Sequence, residues 1–156
     1  MFFLHNFKNS QFFSSDCSSP WVLSSPHCFQ ILHKRANQTE ARDVCKEVGG
    51  RLLEVKGKEK QEAFERVVKE TLKNWKERWF WIGLTRSYVD AGEFLWEGSR
   101  SQPTFTNWAP NHPRQNDDCA GIQSKQDTNF LWYGKRCGKA LTTLSVKNNS
   151  AAIPYM

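Results

Sequence analysis

Five cysteines in 156 residues, Cys17, Cys28, Cys45, Cys119 and Cys137, constrain this chain more than any other feature. None belongs to a CxxC pair, and none has the Cys/His spacing of a zinc site. Disulfides formed in an oxidising compartment are the better reading, with one cysteine left over. The length allows one domain with a sizeable core and is too short for two ordinary domains plus a linker. Hydrophobic residues make up 38% of the chain, and with seven Trp and eleven Phe a packed interior is available. Nine Gly and six Pro are too few for a collagen-like or low-complexity chain.

The formal charge of +6 permits attraction to anionic glycans, nucleic acid or lipid headgroups. It also suits a surface that is merely soluble. No apolar stretch approaches the roughly 20 residues of a membrane-spanning helix. The start, "MFFLHNFKNSQFF", is interrupted by His5, Asn6, Lys8 and Asn9, so no signal peptide is evident and residues 1–15 read as a loose leader.

The organised part begins near Cys17. In "ANQTEARDVCKEVGG" Asn37 is placed to cap a helix, Glu40 to complete a capping box, and Ala41, Val44 and Cys45 to share one face, with Gly49 and Gly50 ending the helix. A short strand, "RLLEV", follows. "KEKQEAFERVVKETLKNW" then sets Phe64, Val67, Val68 and Leu72 at helical spacing beneath a charged outer face, as in an amphipathic helix packed on a core. From Trp79 onwards the pattern changes to "WFWIGL", "EFLWEG", "CAGIQS" and "NFLWYGKRC", short β-forming runs separated by Gly, Pro, Asn and Asp. Two helices followed by several antiparallel strands make an α+β domain over residues 16–146, with residues 147–156 as a polar tail. There is no internal repeat.

The ordered set Cys17, Cys28, Ala41-x3-Cys45, WIGL, Trp96, NWAPxxP, Cys119 and Trp132-x4-Cys137 resembles the C-type lectin-like domain from about Cys17 to Val146. The resemblance implies two helices flanking two small antiparallel sheets, with a long ligand-binding loop. It also implies a Cys17–Cys28 bridge closing an N-terminal hairpin and a Cys119–Cys137 bridge in the loop region. Each would close a loop of roughly ten to twenty residues, worth about 3 kcal/mol in the chain-entropy model. The family's third bridge joins the position of Cys45 to a cysteine in the last strand, and counting from Cys137 arrives at Ser145. No cysteine follows Cys137, so Cys45 is the odd one. Three readings remain open: a divergent or truncated C-terminal stretch, a buried thiol, or a disulfide to another chain through Cys45. Helix position and residue type favour the buried thiol.

In sugar-binding members of that family the stretch matching "NWAPNHPR" carries Glu-Pro-Asn, with an acidic residue before the cysteine and Trp-Asn-Asp further on. These supply most of the oxygen ligands that calcium needs. The five matching positions here hold His112, Arg114, Asp117, Tyr133 and Gly134. Only Asp117 is a good ligand for a hard cation, and the permanent charge of Arg114 repels one. The expectation is no cofactor, with calcium a minor alternative; a shifted register would bring Asn111, Asn116 or Asp118 forward, which leaves Asp117 and Asp118 as weak metal candidates. Pro113 stands where the family often has a cis proline. Trp81, Trp96 and Trp132 read as core.

The exchanged positions gather cationic and aromatic groups, and His112, Arg114, Asp117, Tyr133, Lys135 and Arg136 are the candidate ligand-binding residues. Arg holds sulfate or carboxylate bidentately, and Tyr can stack on a sugar or anchor a protein contact. The expected function is calcium-independent recognition of carbohydrate, an acidic or sulfated glycan being favoured. The alternative is a protein-binding lectin-like domain of a receptor or secreted heterodimer. No HExxH, GxSxG, phosphate-binding glycine loop or catalytic carboxylate pair suggests an enzyme. No nucleic-acid-binding motif accompanies the charge. Secretion or an ectodomain is implied, and the sequons at Asn37 and Asn148 are compatible, although glycosylation of Asn37 competes with its capping role.

Overall fold

The computed structural model describes residues 17–74, 77–125 and 129–147. The leader expected over residues 1–15, and the expected tail beyond Lys147, lie outside the described residues. In chain order the elements are β1 (Val22–Ser24), β2 (His27–Ala36), α1 (Gln38–Glu47), β3 (Gly50–Leu52), α2 (Lys58–Thr71), β4 (Glu77–Ser87), β5 (Glu93–Trp96), β6 (Cys119–Lys125), β7 (Leu131–Lys135) and β8 (Leu141–Lys147).

Helix α1 begins where the capping box predicts. Asn37 Oδ1 accepts from the Glu40 N–H at 2.9 Å, and Glu40 Oε2 accepts from the Asn37 N–H at 3.1 Å. The Gln38 N–H donates to the Cys137 carbonyl at 3.0 Å, which ties this helix start to the far end of the chain. Gly49, at φ 77°, takes the left-handed conformation after the helix, whereas Gly50 already opens β3. The strand expected over "RLLEV" stops at Leu52, because Leu53 continues only as a single bridge to Ile82 and Glu54 turns inward.

Successive side chains of β4 point to opposite faces of the sheet. Phe80 and Ile82 join Phe64, Val67 and Val68 of α2 in one cluster. Trp81 faces the other way, with Ala41 and Cys45 of α1, Leu52 and Leu141. Both faces of β4 are therefore covered, and its Trp81 indole N–H is satisfied by the Ala36 carbonyl at 2.8 Å.

The sheet has eight strands in the order β1-β2-β8-β4-β6-β7, with β3 attached to β8 and β5 to β4. The two antiparallel arrays implied by the resemblance are continuous here. β4 joins them through a parallel contact between Phe80 and Thr142, while its other pairings, to β5 and β6, are antiparallel. The Cys17–Cys28 and Cys119–Cys137 disulfides are both formed. Cys45 belongs to neither bridge and is 0% exposed. Ser145 lies on β8 opposite Gln30 and Leu52, on the strand against which α1 packs. Among the described residues no helix is long and apolar enough to cross a membrane.

Candidate ligand-binding site

The chain between β5 and β6, residues 97–118, carries the loop singled out by sequence, and Trp132 of β7 is what it packs on. The Trp132 ring is fully buried and meets Trp96, Phe105 and Trp108 edge-on at centroid distances of 5.8, 5.8 and 5.7 Å. Backbone bonds seal the contact: the Ala109 N–H donates to the Trp132 carbonyl and the Trp132 N–H to the Asn107 carbonyl, each at 2.8 Å. The Trp132 indole N–H donates to Gln61 Oε1 at 3.0 Å, and Gln61 Nε2 donates to the Phe130 carbonyl at 3.0 Å. A glutamine on α2 thus anchors the strand beneath the loop.

Arg86, near the end of β4, holds the outer part of the loop. Its guanidinium donates to the carbonyls of Asp117 at 2.9 Å, Gly92 at 2.8 Å and Arg114 at 3.1 Å, and it stacks over Phe94 at 4.7 Å. Nε also stands 3.7 Å from Asp118 Oδ1, and the same oxygen accepts from the Tyr88 hydroxyl. That hydrogen bond, the largest of several causes, raises the pKa of the Tyr88 phenol. Sequence reasoning passed over Arg86, since an Arg on a strand gives no sign that its partners are carbonyls of residues in two separate loops.

Beside this clamp the structure brings all six sequence-derived candidates together. His112, Arg114, Asp117, Tyr133, Lys135 and Arg136 line one open depression of about 510 Å³, joined by Trp79, Gln123, Gly134, Lys125 and Lys139. Asn111 takes a left-handed backbone at φ 61°, and the His112–Pro113 bond that follows is cis. The His112 ring packs on Tyr133 at 4.9 Å, and Tyr133 packs on Trp79 at 5.0 Å. Lys135 Nζ lies 3.6 Å over the Trp79 ring, a cation–π contact that holds an ammonium at the Trp79 end of the aromatic row. Trp79 was legible as the alternate of buried Phe80 on its strand. Its partnership with Tyr133 was not, because the two meet only when β6 separates their strands.

The acidic residues of the loop do not fit a calcium ion. Asp117 Oδ2 accepts from the Arg114 N–H at 2.7 Å and stands 3.5 Å from His112 Nδ1, which in turn accepts from the Gly134 N–H at 3.2 Å. Its carboxylate closes the Arg114–Asp117 turn, with the Asp117 N–H returning to the Arg114 carbonyl at 3.0 Å. Asp118, the other weak candidate, is engaged by Tyr88 and Arg86. Six to eight converging oxygens are needed. Among the described residues no three His, Cys, Asp or Glu side chains converge in a way that could hold a metal.

The family model described as Lectin C-type domain matches residues 34–144. Over 121 residues the chain is 26% identical to the C-type mannose receptor 2 of Homo sapiens, covering 78% of this chain and 8% of that protein. Over 129 residues it is 26% identical to one chain of the Snaclec coagulation factor IX/factor X-binding protein of Gloydius halys, covering 80% of this chain and 80% of that one. It thus spans a small part of the receptor and most of the snaclec chain. In fold it is similar to the crystal structure of human lithostathine, with a TM-score of 0.72 at 18% identity, covering 86% of this chain and 92% of that one. The expected bridges, the capped first helix, the loop sealed onto Trp132 and a family model spanning most of the chain agree, and the chain belongs to the C-type lectin domain family.

Proposed function

We propose that this chain is an extracellular recognition module that binds an acidic or sulfated glycan without calcium, in the depression between the long loop and β7. The observation that carries the reading is the Lys135 ammonium held over Trp79 beside Tyr133, with Arg114, Lys125, Arg136 and Lys139 around it. Among the described residues lining the depression the one carboxylate is Asp117, which is engaged by the Arg114 N–H. Guanidinium and ammonium groups at the rim of a shallow aromatic site suit sulfate or carboxylate on a sugar ring. Two disulfides support an oxidising, extracellular setting.

A protein ligand is the second reading. Tyr88 and Val89, at the β4–β5 turn, are 74% and 93% exposed and offer an apolar contact at the edge of the same loop. The name of the Gloydius halys relative states that it binds coagulation factors, which are proteins. A glycan array of the refolded chain, run with calcium and with a chelator, separates the readings. Chelator-indifferent binding to sulfated or acidic glycans supports the proposal. Chelator-sensitive binding to neutral sugars overturns it, and silence on every glycan favours the protein ligand.

A further inference from the structure

One wall of the depression that carries the proposed function is Trp79. The same indole also lines a second depression of about 330 Å³, whose other walls are Arg35, Arg78, Ala140, Leu141 and Thr142. Arg35 is held there by donation to the Ala140 carbonyl at 2.9 Å. The Arg78 guanidinium stands close enough to Arg35 that its pKa is lowered, first by burial and then by that like charge. No described residue lining this second depression is acidic.

From these placements we infer that the two depressions form one track for a linear sulfated oligosaccharide, entering between Arg35 and Arg78, crossing Trp79 and ending between Arg114 and Arg136. The inference rests on the reading of the first depression as a sulfated-glycan site and adds the second subsite, with a minimum length for the ligand. The strand order β2-β8-β4-β6-β7 separates Arg35 from Tyr133 by four strand spacings, or about 19 Å along the curved sheet. A mono- or disaccharide cannot engage both ends, whereas a chain of several sugars can. Lys135, over Trp79, sits where the chain crosses. Gln123 and Thr142 line the floors of the two halves, and both are largely buried. Both depressions are open and shallow rather than deep, which favours a sulfated sugar chain over a peptide needing pockets for its side chains.

The experiment measures binding of size-defined, fully sulfated oligosaccharides to the refolded chain at several salt concentrations, from a disaccharide to an octasaccharide. The octasaccharide is expected to bind at least about tenfold more tightly than the disaccharide. In the double variant Arg35→Ser/Arg78→Ser that ratio should fall towards unity, and the salt dependence of the octasaccharide should weaken by about one unit of slope per cation removed. Arg78→Ser alone, which leaves the Arg35–Ala140 bond intact, should give part of the same loss. Lys58→Ser/Lys73→Ser, on and just beyond α2, removes equal charge elsewhere and should leave the ratio unchanged. The second subsite is refuted if disaccharide and octasaccharide bind alike, if the Arg78 variant keeps the full ratio, or if the lysine variant loses as much. Equal binding by a polyglutamate peptide of matching charge also refutes it, in favour of an acidic protein. Failure of every sulfated length to bind instead refutes the reading of the first depression.

Discussion

The Asp117 carboxylate fills the space that a side chain on Gly134 would need. A Cβ added to Gly134 would lie 2.5 Å from both Cβ and Cγ of Asp117. The resemblance puts a calcium ligand at residue 134 in sugar-binding members, and here the neighbouring turn has folded its own acid into that space. Gly134→Ala should therefore displace Asp117 and destabilise the domain by about 1–3 kcal/mol. Gly138, whose added Cβ meets nothing within 4 Å, provides the control, and Gly138→Ala should stay within about 0.5 kcal/mol of the parent. Urea unfolding of both variants checks the pair, and equal stability would falsify the packing argument.

Arg86 crosslinks three backbone carbonyls from two loops, so its removal should loosen the loop rather than the core. Arg86→Ala leaves the carbonyls of Gly92, Arg114 and Asp117 without this donor and should cost about 2–4 kcal/mol. Arg86→Lys should recover only part of that, because an ammonium lacks the planar fork. Hydrogen exchange reads the distinction: amides at Arg114–Asp118 should speed up while those of β4 and β6 near Ile122 stay protected. Uniform loss of protection would show that Arg86 is merely a core residue.

Gln61 links the Trp132 indole to the Phe130 carbonyl through its one side-chain amide. Gln61→Leu fills much of the same volume but orphans the buried Trp132 indole N–H, while the Phe130 carbonyl keeps the Asn107 side-chain amide as a donor at 2.9 Å. The expected cost is about 1–3 kcal/mol, larger than a surface substitution on α2 such as Glu62→Gln. Thermal unfolding followed by circular dichroism measures it, and a neutral result would mean that water replaces the glutamine.

Lys60 is lowered to a pKa of about 8, first by burial and then by Arg51, with Glu54 partly opposing the shift. Its ordinary value is 10.5, so between about pH 8 and 10.5 the unfolded chain binds this proton more than the folded one does. Its contribution to stability therefore rises with pH across that window, and the folded state is penalised below it. Lys60→Gln should be more stable than the parent at pH 7, and the difference should shrink towards pH 10. Denaturant midpoints across this range decide the matter; a difference that grows with pH has the wrong sign.

Cys45 is 0% exposed and packs beside Ala41 and Trp81 on the α1 face. A thiol reagent should react with one cysteine per chain in guanidinium and only slowly in the native state. A non-reducing gel should show a monomer, since a bond from Cys45 to another chain requires α1 to leave the sheet. Fast native labelling or a reducible dimer would restore the interchain alternative.

The legible features are those set by neighbours in sequence. Asn37 and Glu40 meet across a single helical turn, Phe64, Val67 and Val68 repeat at helical spacing, and Phe80 alternates with Trp81. The disulfide pairing followed from resemblance and agrees with the bridges formed. The candidate residues His112, Arg114, Asp117, Tyr133, Lys135 and Arg136 share one depression, as their common origin in and beside the exchanged ligand positions suggests.

What tertiary structure alone decided lies where groups far apart in sequence meet. Glu54 looked like part of a strand, yet it is 1% exposed and accepts from the N–H groups of Gly98 and Ser99 at 2.7 and 3.2 Å. Arg86 found its carbonyls in two loops, and Trp79 became the shared wall of two cationic depressions. By itself the sequence determined local conformation, because caps, helical period and strand alternation are written within a few residues. The closing of the loop by Asp117 and Arg86, and the meeting of Trp79 with Tyr133, were decided by the sheet. Hydrogen bonds and strand order bring those groups together, and neither is encoded at any single position.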